Sequence, residues 1–473
     1  MRAFGNRFGM NYDLVKEGKM PGLKYRRWIL VFCLLACSHA LAEPKSGPAV
    51  SSPGGLPRLH AGEKFIYDSA GRVVLLRGAN VPGYHTFPFP CGAKDVEVLK
   101  SFGFNFIRLG ISWQYAEPEQ GHYDRQYMEA IVSFIREAGK AGIYVMPEVH
   151  QIGWGATDGG IPAWLCEKPP KNGGDLLAVA RESNRFWSRP ELQDQMLGFW
   201  KYLTRNFQGL DNIFGYNVLN EPGSTDCFFY GCFEKKLFPF YERAIKVMRE
   251  KDPEMPVILE PCVFAFIFPA DTRPFTEPNI VYSPHPYFFH IYTGSGRLVV
   301  VEREPPEELA EKYERDIDEA KRMNAPLLIG EFGGPENRKF TRQWLEQSLN
   351  LQDRHFLGSA VWAYDPPDQN WSIVDPELKP REFYWQTLHR AYPRFTAGTP
   401  LKLYFSLKQR EFLYRFKPAP GLNAPSEIYI PAEFMSGASV KVSAGRWEYD
   451  AGEQLLLVWD DAGAKEISIR LKF

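Results

Sequence analysis

Between residues 74 and 365 the chain repeats one pattern, a short apolar run followed by a longer stretch with apolar residues at helical spacing. The runs lie at 74–81, 104–111, 143–150, 213–221, 256–261, 280–287, 326–332 and 359–365. Several are apolar at consecutive positions, as a strand covered on both faces requires. The stretches 124–140, 191–206, 234–251, 306–322 and 341–352 each present one apolar stripe, as a helix lying on a sheet does. Eight such units predict a (β/α)8 TIM barrel, an α/β fold, over residues 60–392, with the helix-free stretches as long loops. At the start of that span, residues 65–67, the turn 68–71 and the run 73–76 read as a hairpin that plugs one end of the barrel.

After Tyr392 the period changes. Alternating runs LKLYFSL, EFLYRFK, SEIYIP, VKVSAG, EQLLLVW and KEISIRLKF, separated by Pro, Gly and Asn, predict a small antiparallel β-sandwich over residues 393–473. It carries no reactive constellation, so its expected role is to pack against the barrel. At the other end, Lys24, Arg26 and Arg27 precede an apolar run at 28–36 and the small-residue site Ala40-Leu41-Ala42. Residues 1–42 thus read as a secretory signal peptide with an N-terminal extension, Met20 being a second candidate start, and 43–59 as a flexible leader. The expected location is secreted, periplasmic or extracellular; an alternative reads Leu34-Leu35-Ala36-Cys37 as a lipoprotein box that anchors the chain through Cys37.

Five cysteines then remain, at 91, 166, 227, 232 and 262. In an oxidising compartment Cys227 and Cys232, five apart in one loop, are the candidates for a disulfide; buried reduced thiols are the alternative. No Cys-x-x-Cys occurs and His285 and His290 are five apart, which suits neither a helix face nor a strand face, so neither a metal nor a cofactor is expected. The 56 basic residues balance 57 acidic ones, so no overall field draws the chain to nucleic acid.

In a barrel of this kind chemistry sits where the strands end. The polar residues there are Arg108, His150, Asn220, Glu221, His285, Tyr287, Glu331 and Trp362. Any one alone reads equally well as structural, but all are directed to a single mouth. Glu221 and Glu331 fall on strands four and seven, which face each other across it. Two carboxyl groups flanking one bond are what glycoside hydrolysis requires: one donates a proton and the other attacks or positions water. A gap of about 5–5.5 Å implies retention and a wider one inversion, and mutual repulsion is expected to drive the two pKa values apart.

Asn220-Glu221-Pro222 after FGYNVL, Glu331-Phe332-Gly333 after LLIG, and Arg108, His150, His285-Pro286-Tyr287 and Trp362 together resemble glycoside hydrolase family 5, a family of retaining (β/α)8 glycosidases. The resemblance implies that Glu221 is the acid/base and Glu331 the nucleophile. It implies that Tyr287 and Arg108 orient Glu331, that Asn220 binds a sugar 2-hydroxyl and that Trp362 floors the subsite of the scissile sugar. ISWQYAEPEQGHYD, the segment 150–165, LYFSL, SEIYIPAEF and VKVSAGRWEY further resemble the endoglycoceramidase-related branch, whose members release a whole glycan from ceramide. Gln151 is followed here by Ile152, where many members carry an acidic residue.

Aromatic residues make up 15% of the chain. Many cluster in the stretches between the later strands, and Phe228, Phe229, Phe233 and Phe288 are candidates for an apolar groove beside the sugar site; burial under long loops is the alternative. The expected partner is a glycolipid or oligosaccharide, with transient contact to a membrane surface, and the protein is expected to act as a monomer. The competing functions are an endo-acting β-glucanase or mannanase on polysaccharide and a catalytically silent carbohydrate-binding barrel.

Overall fold

The computed structural model describes residues 55–473, except 84–85, 153, 156–158, 173–174, 224–232, 264–268, 288–289, 295–296, 302–307, 369 and 461–462. The leader to residue 54 with Cys37, the groove candidates Phe228, Phe229 and Phe288, and the pair Cys227 and Cys232 lie outside the described residues. Among the described residues, Cys91, Cys166 and Cys262 are not joined in disulfides.

Eight parallel strands form one sheet. Strands one to eight are Arg77–Val81, Phe106–Ile111, Tyr144–Val149, Tyr216–Asn217, Val257–Leu259, Ile280–Tyr282, Leu328–Phe332 and Gly358–Val361. They run in the spatial order seven, eight, one to six, and a bridge between Tyr282 and Leu327 brings strand six round to strand seven. Helices cover the outside. Arg125–Lys140 is representative: the Asp124 side chain caps it by accepting from the Tyr127 amide, and Met128, Ile131, Phe134, Ile135 and Ala138 recur at helical spacing on its buried face.

The barrel interior explains how the chain builds a polar site on an apolar floor. Phe106, Tyr144, Met146, Phe214, Ile258, Val281, Leu328 and Ala360 fill the lower half. Side chains on a strand alternate between faces, so the next inward residue lies two positions on. From Phe106 that is Arg108, from Met146 it is Glu148 and then His150, from Ile258 it is Glu260, and from Val281 it is Ser283 and then His285. Strand seven departs from this rule. Ile329 and Phe332 both face the outer core, and the register with strand eight slips between them. Such an irregularity re-aims a side chain, and here it turns Glu331 into the mouth.

The C-terminal unit stacks a four-stranded sheet (Gly398–Ser406, Glu411–Pro418, Ile467–Lys472, Ser439–Val442) on a seven-stranded one over a core that includes Leu403, Tyr414, Ile428, Leu456 and Ile469. The larger sheet contains Leu59–Ala61, Ile66–Asp68 and Val73–Val74 as well as Tyr392–Thr396, Ser426–Tyr429, Leu455–Trp459 and Arg446–Asp450. The N-terminal hairpin therefore has two roles. Leu59, Ile66 and Val74, with Phe395, pack against the barrel floor, while Val73–Val74 pairs antiparallel with Tyr392–Thr396. A boundary at 392/393 thus separates two strands of one sheet from each other. Arg72, nearly buried, seals the junction with bonds to Asp68 and Glu427. The leader also ends earlier than residue 59: the Tyr144 hydroxyl donates to the Pro57 carbonyl at 2.6 Å and Arg58 pairs with Asp252.

Candidate active site

Arg108 lies at the centre of the mouth with no exposed surface. A guanidinium has five N–H donors, and all five find an acceptor. Nε donates to Asn217 at 2.9 Å; Nη1 donates to Asn80 at 2.8 Å and Glu331 at 2.7 Å; Nη2 donates to Asn220 at 2.9 Å and Glu260 at 2.8 Å. Strands one, two, four, five and seven are tied through this one side chain. Burial alone would lower the Arg108 pKa, but Glu148, Glu260 and Glu331 more than offset it, so the group is a permanent cation.

Glu331 receives both of its oxygens' hydrogen bonds from fixed donors, Arg108 on Oε1 and the Tyr287 hydroxyl on Oε2 at 3.1 Å. Glu221 faces it with a different environment. Its Oε1 is 3.0 Å from His285 Nδ1, which is also 3.7 Å from Glu331 Oε2, and one ligand atom from each of Glu221, His285 and Glu331 fits within 4.8 Å of the others. The two carboxyl groups thus converge on one point at the mouth. Glu221 adopts a left-handed backbone with φ 40°, uncommon for a residue with a side chain, and its amide donates to Glu260 Oε2 at 2.7 Å.

Burial is the first cause of every carboxyl shift here. It pushes Glu221 up to about 7, helped by Glu148 and opposed by Arg108. It also raises Glu331, where His285 and Arg108 oppose it and Glu221 adds to it. Mutual repulsion is therefore the smaller contribution, and the two acids differ in their donors: Arg108 and the Tyr287 hydroxyl both donate to Glu331, where they favour the anion against burial, while Glu221 has His285 Nδ1 beside it. Tyr287 is raised by burial and by the facing carboxylates, so it stays a phenol and a donor.

The remaining expected residues join the same cluster. His150 Nδ1 is 2.5 Å from Glu148 Oε1, its Nε2 is 3.4 Å from Asn220 Nδ2, and its ring stacks on Trp362 at 5.3 Å. Asn220 is nearly buried, with Oδ1 on Arg108 and Nδ2 on the Gln151 carbonyl, so its amide is already committed within the protein. Phe233 does not reach the mouth: it is 1% exposed in the barrel's outer core, against Phe238 and Tyr241. Burying a large apolar ring under the loop outweighs displaying it.

Sequence reasoning missed Asn80, Glu148, Gln151, Asn217 and Glu260. Glu148 and Glu260 were visible as charges inside apolar runs, two residues after an inward apolar side chain. Gln151 holds the strand-four end by donating to the Asn220 and Glu221 carbonyls, each at 3.0 Å; nothing in its local sequence points to that. As for a metal, Glu221, His285 and Glu331 are the residues whose spacing would admit one among the described residues. The guanidinium 2.7 Å from Glu331 opposes a second cation there, and the set is better suited to moving protons.

Residues 67–368 match the model of Cellulase (glycosyl hydrolase family 5), and residues 390–471 match the glycoside hydrolase family 5 C-terminal domain. The chain is 26% identical over 451 residues to endoglycoceramidase I of Rhodococcus hoagii, covering 87% of this chain and 88% of that protein. It is 26% identical over 283 residues to an endoglycoceramidase of Cyanea nozakii, covering 49% of this chain and 56% of that one. Its fold is similar to that of endo-glycoceramidase II from Rhodococcus sp. in a ganglioside GM3 complex, with TM-score 0.74 and 23% identity over 86% of this chain and 99% of the other. Barrel and C-terminal unit agree with these matches, and the chain belongs to glycosyl hydrolase family 5 as a glycoside hydrolase.

Proposed function

We propose that this hydrolase cleaves the bond between a glycan and its lipid aglycone by double displacement, with Glu331 as nucleophile and Glu221 as acid/base. The observation that carries the reading is the unequal treatment of two facing carboxyl groups: Arg108 and Tyr287 donate to Glu331, while Glu221 is pushed up to about 7 and remains able to hold a proton. In the first step Glu331 attacks the anomeric carbon and Glu221 gives its proton to the departing glycosidic oxygen. In the second, Glu221 takes a proton from water, which opens the glycosyl ester and returns Glu331 as an anion. Trp362, braced by His150, supplies an aromatic surface for the sugar between them.

The lipid half of the reading draws support from relatives named endoglycoceramidase and from the surface. Phe87 is 50% exposed and Ile152 is 58% exposed, on the loops that follow strands one and three, and loops after strands rim the mouth. Apolar side chains beside a polar cleft suit an amphiphile. Phe228, Phe229 and Phe288 belong to the same proposal, as do export by the leader and a monomer that touches the membrane only in passing.

The test is to incubate purified protein with glucosyl-, galactosyl- and lactosylceramide, steryl glucosides and β-glucans and to identify products by mass spectrometry. The expected products are an intact glycan and a free lipid. Cleavage of a β-glucan with every glycolipid untouched would replace this reading with the polysaccharide one.

A further inference from the structure

Glu260 is absent from the two-carboxyl scheme, yet it touches as many groups of the machinery as Glu331 does. It ends strand five, is 1% exposed, and the Tyr241 hydroxyl fixes its carbonyl at 2.8 Å. Its Oε1 accepts from Arg108, and its Oε2 accepts from the Glu221 amide and lies 3.5 Å from His285 Nε2. Burial raises the Glu260 pKa, and the two N–H donors with the Arg108 charge oppose that and favour the anion, which toward His285 can only accept. The other neighbour at that nitrogen is the Ser283 hydroxyl. Neither its Oγ nor His285 Nε2 has a hydrogen-bond partner, and both crowd the point where a side chain on Gly330 would begin, at 2.7 and 2.6 Å. A hydroxyl donates or accepts and leaves the imidazole's choice open; a carboxylate does not.

From this geometry we infer that Glu260 is a positioning residue that fixes His285 as the Nε2–H tautomer, so that Nδ1 presents a lone pair to Glu221. The inference rests on Glu221 being the proton donor. Burial keeps His285 neutral, against the pull of Glu331 and Glu260 and with Arg108 and His150 adding to the effect, so one ring nitrogen must lack a proton. With Nε2–H on the Glu260 side, 3.5 Å from Oε2 and short of a hydrogen bond, the bare Nδ1 accepts the Glu221 proton across 3.0 Å in the resting enzyme. Once that proton has gone to the leaving oxygen, the same lone pair faces the Glu221 carboxylate and favours its reprotonation from water. Both half-reactions gain from one tautomer. The opposite tautomer would donate to Glu221, stabilise its anion and weaken it as an acid. The groups facing this imidazole are Glu260 from strand five, Ser283 and Tyr287 from its own segment, Glu331 from strand seven, Arg108 from strand two, His150 from strand three and Glu221. Among them Glu260 is the carboxylate beside Nε2, at 3.5 Å and without a hydrogen bond to it. Gly330 leaves the space: any side chain there would drive His285 off it.

The tautomer can be read without turnover. Long-range 1H–15N correlation on the full chain labelled at histidine, with His285 assigned by loss of its signals in His285→Gln, should show a protonated Nε2 and an unprotonated Nδ1. Glu260→Gln should shift that population toward Nδ1–H and move the basic limb of kcat/KM for lactosylceramide about one pH unit lower, while Glu260→Asp, which keeps the charge, returns the limb. A wild-type His285 protonated on Nδ1 overturns the inference, and so does a Glu260→Gln enzyme that is slower at every pH with its limb unmoved. Failure to cleave lactosylceramide would count against the glycolipid reading alone, since the spectrum reports the tautomer either way.

Discussion

Replacing Tyr287 with Phe removes one oxygen from a side chain at the mouth and leaves the ring. The oxygen removed donates to Glu331 Oε2 at 3.1 Å. A hydrogen bond to a charged group contributes about 1.5–3 kcal/mol, and at about 1.36 kcal/mol per pKa unit its loss should raise the Glu331 pKa by about 1–2 units. The sign follows from which form is bonded: the phenol stabilises the anion, so without it the acid holds its proton to higher pH. The acidic limb of kcat/KM reports the nucleophile's ionisation in the free enzyme and should move up by the same amount. Arg108 still donates at 2.7 Å and favours the anion, so the deficit should shrink as pH rises. The carboxylate charge vanishes when the glycosyl ester forms and returns when it breaks. Breakdown of the intermediate should therefore slow, by about 10- to 100-fold on the same energy. Steady-state rates across pH 4 to 9 together with burst amplitudes on an aryl glycoside measure both effects. An acidic limb that stays in place or moves down would refute the assignment of Glu331 as an anion held by Tyr287.

Glu221→Gln should cripple hydrolysis of substrates with poor leaving groups while sparing the glycosylation step for activated aryl glycosides, and added azide should restore turnover by attacking without a base; equal loss on both substrate types contradicts the acid/base role. Glu148 is pushed up to about 7 by burial, so the folded protein holds a proton that the unfolded chain releases from about 4.5 upward. Stability should therefore fall as pH rises from about 4.5 to 7, by on the order of 3 kcal/mol for this group. Glu148→Gln should flatten that fall in thermal melts, and an unchanged slope would show that Glu148 is ionised throughout. A chain ending at residue 389 loses the strand partner of Val73–Val74 and leaves Arg72 without Glu427, so it should not fold cooperatively; a soluble fragment with a sharp melting transition would show that the shared sheet is dispensable.

All eight barrel strands were legible because a strand buried on both faces prints a continuous apolar run and the helices between them print a stripe. The strand ends were legible for the same reason, since a polar residue that closes such a run has the mouth as its destination. Glu148 and Glu260 were hidden by their surroundings: in PEVH and VILEP each looks like an interruption, and only the shared inward face with Arg108 makes it part of a network. The hairpin's membership in the C-terminal sheet was invisible because alternation fixes which face a residue occupies and says nothing of which distant strand it will pair with. Tyr392–Thr396, interrupted by Pro393, carries no run that marks it as the joining strand. Phe233 was misplaced because aromatic content does not distinguish a groove from a core. Its neighbours Leu237 and Phe238 are buried with it, and the segment Phe233–Leu237 opens a helix instead of rimming the cleft.

The central claim is that Glu331 forms a bond to the sugar. Incubation with a 2-deoxy-2-fluoro glycoside carrying a good leaving group slows breakdown of the intermediate more than its formation, and digestion followed by mass spectrometry locates the label. The account predicts one sugar per chain, on the peptide containing Glu331, with retained anomeric configuration in the products of ordinary substrates. A label on any other residue, or products of inverted configuration, would contradict it.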